Sequence, residues 1–457
     1  MKKIVPFLLS LLIVLTLPLQ TLAATLDEVI SIVESDYVGD INGNLKNAKS
    51  IDDVMEMLDP YSAYFTAEEY EEFLNSVDLK SVGIGVVIEK TEKGILLVDV
   101  IENGSARQSG LEAGDIIIAV DGKSTVNMST EEAQTLILGK ENTRVELTIL
   151  KKDGTTTNKL LTRQSFTLPN VTKELLYGNV GYISLSSFSE DGAQLVKQAY
   201  NDLVKQGATS FILDLQYNGG GYVSTAEELI GLFPNAPFAY ELNYSAGSDL
   251  VRAIKQEVQF PKNTRILVNR YSASASEMTA AALLDQNAAI IYGEKTYGKG
   301  TMQGFFQFED GSVLKLTVAE FFGPKGTVVK NVGLTPNIET KTNPLFQAHF
   351  DSIVEKLSNY KKLPNLENVP TTKTFKVTFN RDIQQQIAEN TVELVELGGD
   401  KVNVSLKATN NQLEVKPVEP LKSGAEYILI FHPEIQDNNG KNLKAGQYLH
   451  IAVKEEE

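Results

Sequence analysis

The spacing of hydrophobic positions changes several times along the chain, and each change predicts a different kind of structure. Residues 24–75 place apolar side chains three and four apart, which predicts helices. Residues 76–163 consist of short β-branched runs between glycine turns, which predicts a small β-rich unit. Strand-like and helix-like segments alternate over residues 164–340, and residues 371–457 alternate with period two, as in a β-sandwich. We therefore expect a multidomain α/β and β protein, in which residues 341–370 form a linker.

The first 23 residues have the pattern of an export signal. Lys2 and Lys3 precede an apolar stretch at 4–19, and small residues at 21–23 offer a cleavage site. The alternative is an uncleaved membrane anchor, but an apolar stretch that is short and interrupted by prolines spans a bilayer poorly. We expect an exported, extracytoplasmic protein of bacterial type.

Two residue types that often supply catalysis are absent or scarce. The chain has no cysteine, which excludes disulfides, thiolate metal sites and a cysteine nucleophile. Its three histidines are His349, His432 and His450, all outside the predicted α/β core. A Ser-His-Asp arrangement within that core is therefore excluded.

Charge and missing motifs limit the partners. The formal net charge of −17 disfavours nucleic acid and anionic lipid, and no run of basic residues compensates for it. The sequence contains neither a His-Glu-x-x-His zinc motif nor a phosphate-binding glycine loop with its lysine. We expect no metal and no cofactor.

A serine nucleophile with a lysine base is compatible with this composition, because burial can lower the pKa of a lysine toward neutrality. The best serine is Ser274, among small residues between a predicted strand and a predicted helix. A helix start offers N–H groups and a positive dipole end to a developing oxyanion. The alternative is structural, since Ser274 and Glu277 also have the spacing of a capping box.

Glycines mark two further segments. Lys299 lies between Gly298 and Gly300, so its backbone can pack closely against another element. A lysine in an exposed hairpin is the alternative. Residues 214–221 end in three consecutive glycines after a predicted buried strand, and these either present N–H groups to a ligand or form a flexible turn.

Taken together and in this order, these segments resemble the carboxyl-terminal processing (tail-specific) protease family. Three of the matching blocks are catalytic in that family, and three lie elsewhere. The blocks are Asp-Leu-x-x-Asn-x-Gly-Gly at 214–221, Ser-Ala-Ser-Ala-Ser-Glu at 272–277, Tyr-Gly-Lys-Gly-Thr-Met-Gln at 297–303, Leu-Asp-Pro-Tyr-Ser-x-Tyr-Phe-Thr at 58–66, Gly-Ile-Gly-Val at 83–86 with 106–121, and Gly-Leu-Thr-Pro at 333–336. The resemblance covers about residues 26–340.

The resemblance implies an α/β protease core at 164–340 with an inserted PDZ domain at 76–163. It implies that Ser274 is the nucleophile, that Lys299 is the general base and that Gln303 orients the lysine.

The resemblance also implies an oxyanion hole made by the N–H of Ala275 and that of Gly220 or Gly221. Two positions depart from the family pattern, which usually has Arg where this chain has Gln216 and often has Pro where it has Gly219. Neither residue carries the acyl chemistry, but both could change how the oxyanion loop is held.

The resemblance of residues 76–163 to a PDZ domain implies how the protein binds its substrates. Backbone N–H groups around Gly83, Ile84 and Gly85 would bind a free carboxylate, and the substrate tail would add as a strand at a sheet edge. Ile84 and Val86 would favour tails that end in apolar residues, and tail binding could switch activity on.

Residues 371–457 lie outside the protease pattern. Phe379-Asn380-Arg381 and Ile435-x-Asp437-x-x-Gly440 resemble the Ig-like domains of bacterial surface-layer and wall-associated proteins. Wall attachment, partner binding and spacing all stay open as roles. The N-terminal helices either mediate a homodimer or pack on the core.

The sequence thus favours a serine endopeptidase that cleaves exported polypeptides recognised by free, apolar C-terminal tails. The main alternative is a catalytically silent PDZ and Ig-like binding scaffold, against which the intact set of Ser274, Lys299 and Gln303 argues. A Ser/Lys hydrolase of wall peptides or β-lactams is a third alternative, which the lack of a Ser-x-x-Lys block at a helix start weakens.

Overall fold

A computed structural model describes residues 24–455 of the chain. The predicted export signal at 1–23 lies outside the described residues. The described residues form two compact units, one of residues 24–72 and 303–318, the other of residues 73–302 and 319–455. None of the helices within 24–455 is long and apolar enough to cross a membrane.

The first unit is built around the helix Leu26–Asp36, which begins with a capping box between Thr25 and Glu28. Its buried residues Val29 and Val33 share a core with residues of the second segment, including Leu314. The other elements are the short 3-10 helix Leu45–Asn47, the helix Ile51–Met55, the start of the helix Ala67–Val77, the strand Ala63–Phe65, and parts of the strands Thr301–Gln307 and Val313–Phe322. Residues 63–65 pair antiparallel with residues 313–315.

The block at 58–66 holds this unit together. The carboxylate of Asp59 accepts hydrogen bonds from the N–H groups of Tyr61 (3.1 Å) and Ser62 (2.9 Å), which closes the turn. The hydroxyl of Ser62 accepts the N–H of Thr317 at 3.2 Å. Within this unit the block therefore has a structural role.

The inserted β-rich part of the second unit is a six-stranded sheet with two helices. The sheet strands are Val86–Thr91, Gly94–Val100, Ile116–Val120, Lys123–Ser124, Arg144–Leu150 and Thr156–Thr162, and the helices are Ser105–Gln108 and Thr130–Ile137. Val86–Thr91 is an edge strand, pairing with Gly94–Val100. A separate ribbon of Lys80–Gly83 and Gln164–Thr167 joins this part to the core.

The core of the second unit is a mostly parallel six-stranded sheet. Its strands, in sheet order, are Val171–Leu176, Val180–Leu185, Ser210–Asp214, Arg265–Val268, Ile290–Gly293 and Ile338–Glu339, of which only the first pair is antiparallel. The helices Gly192–Lys205, Val223–Ile230 and Ala275–Asp285 pack with the sheet in one apolar cluster. The carboxyl ends of parallel strands meet at one edge, where α/β proteins usually place their sites.

A smaller antiparallel sheet adjoins the core. It pairs Phe238–Tyr244 with Gly247–Arg252 and with residues 319–322.

Residues 341–370, for which the sequence predicts a linker, are largely ordered in elements. The helix Pro344–Val354 packs on the core sheet, with Ala348 buried against Ile212 and Leu267. The strands Lys361–Lys362 and Leu366–Val369 both pair in parallel with the strand Gln447–Val453 of the C-terminal domain.

The C-terminal domain is a β-sandwich. One sheet holds Lys361–Lys362, Leu366–Val369, Val392–Glu396, Lys401–Val402, Glu426–Phe431 and Gln447–Val453. The other sheet holds Phe375–Thr378, Val404–Thr409 and Gln412–Pro417. Two apolar residues of this domain, Ile428 and Ile430, lie outside its own core. They form a separate buried cluster with Phe350 and Ile353 of the helix Pro344–Val354. The domain is therefore docked on the core by apolar packing.

Candidate active site

Three loops leave the same edge of the core sheet, after the strands that end at Asp214, Val268 and Gly293. They carry most of the residues of the three predicted catalytic blocks. We call them the glycine loop (residues 215–222), the serine loop (269–274) and the lysine loop (294–300). The site follows from how they are held together.

Ser274 is the last residue before the helix Ala275–Asp285, and its backbone lies in the left-handed half of conformational space, with φ 56° and ψ −113°. Such a conformation is unfavourable for a non-glycine residue, by roughly 1–3 kcal/mol, and it persists only where the surroundings impose it. Here Ser274 N donates to the Glu277 carboxylate (3.0 Å) and Ser274 O accepts the N–H of Met278 (2.8 Å). The preceding loop is anchored by Ser272, whose hydroxyl donates to Leu215 O (2.8 Å) and accepts the N–H of Asn269 (2.9 Å).

Glu277 connects the serine loop to the lysine loop. Its side chain is fully buried in the first turn of the helix Ala275–Asp285. The carboxylate accepts hydrogen bonds from Ser274 N (3.0 Å), Thr296 Oγ1 (2.6 Å), Gly298 N (2.7 Å) and Lys299 N (2.8 Å). Burial raises the pKa of Glu277, and these hydrogen bonds oppose the rise.

The backbone N–H groups of Ser274 and Lys299 donate to the same oxygen atom of this carboxylate. Ser274 N and Lys299 N both donate to Glu277 Oε2, so the two nitrogens are no further apart than the sum of the two bond lengths. In the sequence, Glu277 belongs to the block at 272–277 and has the spacing of a capping box with Ser274. Its spacing from Ser274 was visible in the sequence, but its bonds to the lysine loop depend on the tertiary fold.

Lys299 is half-buried in a closely packed segment. Gly298 has φ +100°, and a Cβ on Gly300 would lie 2.3 Å from Lys330 N, so neither position tolerates a side chain without rearrangement. Tyr297 N donates to Ser272 O at 3.1 Å, which adds a second link to the serine loop.

Gln303 belongs to the first unit, whereas Ser274 and Lys299 belong to the second. Within its own unit its side-chain amide donates to the hydroxyl of Thr317 at 3.2 Å. Its role toward Lys299 stays a prediction.

The glycine loop passes directly over the nucleophile candidate. Gly220 has φ +105°, and a Cβ there would lie 2.9 Å from Ser274 Cβ and 3.0 Å from Ala275 N. A Cβ on Gly221 would lie 2.3 Å from Phe188 O. In this conformation the N–H of Gly220 donates to Asn218 Oδ1 at 2.9 Å, so it is turned away from an oxyanion.

Asn218 is a second residue whose role is not evident from the sequence. It is fully buried, and its amide donates to Leu185 O at 2.9 Å. Its main-chain carbonyl accepts the N–H of Ala273 (3.0 Å) and the hydroxyl of Ser276 (2.8 Å). Asn218 therefore joins the glycine loop to the serine loop, and its only signal in the sequence was its place in the block at 214–221.

Asp214 ends the strand that leads into the glycine loop. One carboxylate oxygen accepts the N–H of Gln216 (2.8 Å) and the other accepts the hydroxyl of Tyr182 (2.8 Å). Burial raises the pKa of Asp214 to about 6.

The predicted tail-binding residues line a groove in the inserted domain. The groove has a volume of about 290 Å³ and lies between the edge strand Val86–Thr91 and the helix Thr130–Ile137. Ile84, Gly85 and Val86 line it, together with apolar residues such as Phe166 and Leu138. Gly83 lies at the end of the joining ribbon, next to Leu138.

Gly85 is fixed by close backbone packing at the mouth of this groove. Its φ is +75°, and a Cβ there would lie 2.6 Å from Gly104 Cα. The carbonyls of Ile84 and Gly85 accept the N–H groups of Ala106 (2.9 Å) and Ile101 (3.0 Å), which orients the segment.

Models of three known families match the chain. They are peptidase family S41 over residues 179–340, the PDZ domain over residues 97–151 and the bacterial Ig-like domain over residues 363–450. The predicted resemblance and the predicted fold class are both confirmed.

Curated relatives extend this similarity over most of the chain. The carboxy-terminal processing protease CtpA of Bacillus subtilis is 31% identical over 357 residues, which cover 78% of this chain and 73% of that protein. A probable CtpA-like serine protease of Staphylococcus aureus is 31% identical over 356 residues, 77% of this chain and 68% of its own length. The solved photosystem II D1 C-terminal processing protease is 24% identical, covering 72% of this chain and 95% of its own, with a TM-score of 0.46.

Proposed function

Because this chain belongs to peptidase family S41 and is a serine-type carboxy-terminal processing protease, we propose that Ser274 is its nucleophile and Lys299 its general base. One observation carries the proposal: a single oxygen of the buried Glu277 carboxylate binds the backbone N–H groups of both residues. A nucleophile and its base must lie within hydrogen-bonding reach during the reaction.

In the proposed reaction the neutral amine of Lys299 accepts the proton of the Ser274 hydroxyl. The serine oxygen attacks the carbonyl carbon of the scissile peptide bond, and Lys299 then gives its proton to the leaving amine. A water molecule then takes the place of the departed amine: Lys299 accepts its proton, its oxygen attacks the ester carbon, and the departing Ser274 oxygen takes the proton back from Lys299. Gln303 is proposed to orient the lysine.

The oxyanion is proposed to be held by Ala275 N–H together with an N–H of the glycine loop. Gly220 N–H is bonded to Asn218, so either the loop turns this peptide when substrate binds or Gly221 supplies the donor. One such donor contributes about a hundredfold or more to the rate.

The groove of the inserted domain is proposed to bind the C-terminal tail of the substrate. Three features support this proposal: the open edge strand Val86–Thr91, the apolar lining and the orientation of the segment at Gly85. The substrates are proposed to be exported polypeptides with free, apolar C termini, in keeping with the export-signal pattern at residues 1–23.

One observation favours the alternative of a silent binding scaffold, namely the Gly220 N–H that is already bonded to Asn218. Cleavage distinguishes the two. We expect wild-type protein to cut an unfolded polypeptide with an apolar free tail, with cut positions read by mass spectrometry.

Ser274→Ala and Lys299→Ala should each abolish this cleavage, and Lys299→Arg should fail as well because guanidinium does not give up its proton near neutral pH. Thermal unfolding should show that all three variants are folded. Matched controls are Ser248→Ala and Lys262→Ala, both at exposed positions outside the three loops. Full activity in Ser274→Ala or Lys299→Ala would refute the assignment, and inactivity of wild type on every tail would favour the scaffold.

A further inference from the structure

Two tyrosines next to the proposed site are largely exposed and stack on each other. The exposed fraction is 73% for Tyr217 and 57% for Tyr271. Their ring centroids are 5.5 Å apart and the ring planes are inclined by 19°. Aromatic rings usually contribute their large apolar area to a core, so an exposed stacked pair indicates a binding surface.

The position of the pair is fixed by one buried side chain. The backbone N–H groups of Tyr217 (3.1 Å) and Tyr271 (3.0 Å) both donate to Asn269 Oδ1, whose residue is only 5% exposed. Next to Tyr271, Arg270 makes two bonds of 2.9 Å to Glu294. The backbone from which each tyrosine side chain extends is therefore restrained before binding. Less conformational entropy is then lost when a ligand binds.

Tyr217 has a backbone conformation that its side chain does not favour. Its φ is +61°, in the left-handed region that bulky residues rarely occupy. Asn or Gly would fit this position with less strain, so the sequence keeps an aromatic ring here against its conformational preference.

The pair belongs to the same loops as the catalytic residues. Tyr217 lies three residues before Gly220, and Tyr271 lies three residues before Ser274. The bond from Ala273 N to Asn218 O (3.0 Å) joins the two loops between the tyrosines and the site. A third exposed ring, that of Tyr297 (59% exposed), belongs to the lysine loop, which contacts the serine loop at Ser272.

We propose that Tyr217 and Tyr271 form an aromatic platform that binds an aromatic or proline side chain of the substrate polypeptide near the scissile bond. The proposal rests on the proposed function, because a polypeptide lying across Ser274 must pass over these loops. Since each ring turns one face toward the other ring, the outer faces and edges are available to the substrate. Rings and prolines offer flat apolar surfaces that stack well on tyrosine.

The platform predicts a preference at one position of the substrate. We expect a peptide with Phe at that position to be cleaved about 3- to 10-fold more efficiently, in kcat/KM, than the same peptide with Ala, as ring pairing contributes that much. Tyr271→Ala or Tyr217→Asn should reduce the preference to about one. Tyr271→Phe and Tyr217→Phe should keep it, because the ring remains.

The test uses a set of peptides with one cut site and one identical C-terminal tail, in which a single Phe is moved through the four positions on each side of the cut. The common tail keeps binding to the inserted domain constant. Asn tolerates a positive φ, so Tyr217→Asn removes the ring without adding strain. The control is Val418→Ala, which removes an exposed apolar side chain (62% exposed) from the C-terminal domain.

A binding measurement separates this proposal from the proposed catalytic mechanism. The chain contains no tryptophan, so a peptide with one Trp is the only indole fluorophore in the mixture. We expect the fluorescence of this peptide to change on binding to Ser274→Ala, and the dissociation constant to rise about 3- to 10-fold when Tyr271→Ala or Tyr217→Asn is added.

Each outcome decides one of the two proposals. Tyrosine-dependent binding without any cleavage by wild type would support the platform and refute the proposed function. Cleavage with the same Phe-to-Ala ratio in wild type and in the tyrosine variants would refute the platform alone. Tyrosine-dependent binding of a wall oligosaccharide but not of the peptides, or tyrosine-dependent dimers, would also refute it.

Discussion

At the scale of single residues, the buried carboxylate of Glu277 determines how the proposed site is assembled. Four donors from the serine and lysine loops converge on its two oxygens. Hydrogen bonds to an ionised group are stronger than neutral ones, and the loss of a partner leaves a buried donor unsatisfied. The proposed nucleophile and the proposed base are therefore held in place through a third residue, which has no role in the proposed chemistry.

Glu277→Gln should lower both stability and activity. The NH2 group of glutamine would face N–H and O–H groups that now donate to the carboxylate, and donors cannot bond to each other. We therefore expect a loss of about 2–4 kcal/mol in the free energy of unfolding and at least about a tenfold fall in kcat/KM. Urea denaturation and peptide cleavage measure the two effects. Glu414→Gln is the control, because Glu414 forms an exposed ion pair with Lys376 that contributes little. Wild-type kcat/KM in Glu277→Gln would contradict the positioning role.

Some of these residues could be predicted from sequence and others could not. Ser274 and Lys299 were predicted because motif order and spacing are visible along the chain. Glu277 acts through a bond to Lys299, which is more than twenty positions away in the sequence. Asn218 acts through a bond to Ser276, which is more than fifty positions away. Such bonds depend on which strands become neighbours in the sheet. The stack of Tyr217 on Tyr271 has the same origin.

At the scale of elements, the groove of the inserted domain depends on a glycine at position 85. Its φ of +75° and its contact with Gly104 leave no room for a Cβ. The sequence predicted strands and a helix here, and the structure adds that the first sheet strand is an edge and that the helix Thr130–Ile137 faces it across the groove.

Gly85→Ala should therefore weaken binding of a peptide tail. The new methyl group would lie 2.6 Å from Gly104 Cα and displace the segment that is proposed to bind the carboxylate. The control is Gly122→Ala, where φ is also +75° but no atom lies within 4 Å of the added Cβ. Both variants acquire similar backbone strain, so a difference in tail affinity reports the groove itself.

The substrate offers a complementary test of the same element. A peptide with an amidated C terminus should be cleaved about tenfold more slowly than its free acid, because the amide cannot accept the full set of charge-assisted hydrogen bonds. Equal rates for the two peptides in wild type, or an equal penalty in Gly85→Ala, would contradict tail gripping by this groove.

At the scale of the whole molecule, all three histidines lie where the C-terminal domain meets the rest of the second unit. His349 Nε2 bonds to Tyr177 O (2.9 Å) and its Nδ1 accepts Gly398 N–H (2.9 Å), so it bridges core and domain. His432 and His450 bond to Glu393 (2.9 Å) and Glu426 (2.8 Å). The sequence showed three histidines near the C terminus, but not that they share an interface.

This interface should weaken in mild acid. Burial lowers the pKa of His349 to about 4, against an ordinary value of 6.5, so the unfolded chain binds the proton more readily. The stabilisation is complete above pH 6.5 and is lost as the pH falls from 6.5 to about 4, by roughly 3 kcal/mol at full effect.

The measurement is the free energy of unfolding against pH for wild type and for His349→Gln. The subtraction is needed because Asp214, with a pKa of about 6, favours the folded state at low pH and acts in the opposite sense. The difference between the two proteins should shrink as the pH falls toward 4. A difference that is constant with pH would contradict the prediction.

The two ends of the inserted domain meet where it joins the core. Leu168 N donates to Leu79 O at 2.9 Å, beyond the two-stranded ribbon of Lys80–Gly83 and Gln164–Thr167. Entry and exit therefore lie side by side, and the core chain continues almost as if nothing had been inserted. A module with closely spaced termini can be exchanged at such a junction, so the tail recognition proposed for this domain can evolve, or be redesigned, separately from the chemistry proposed for the core.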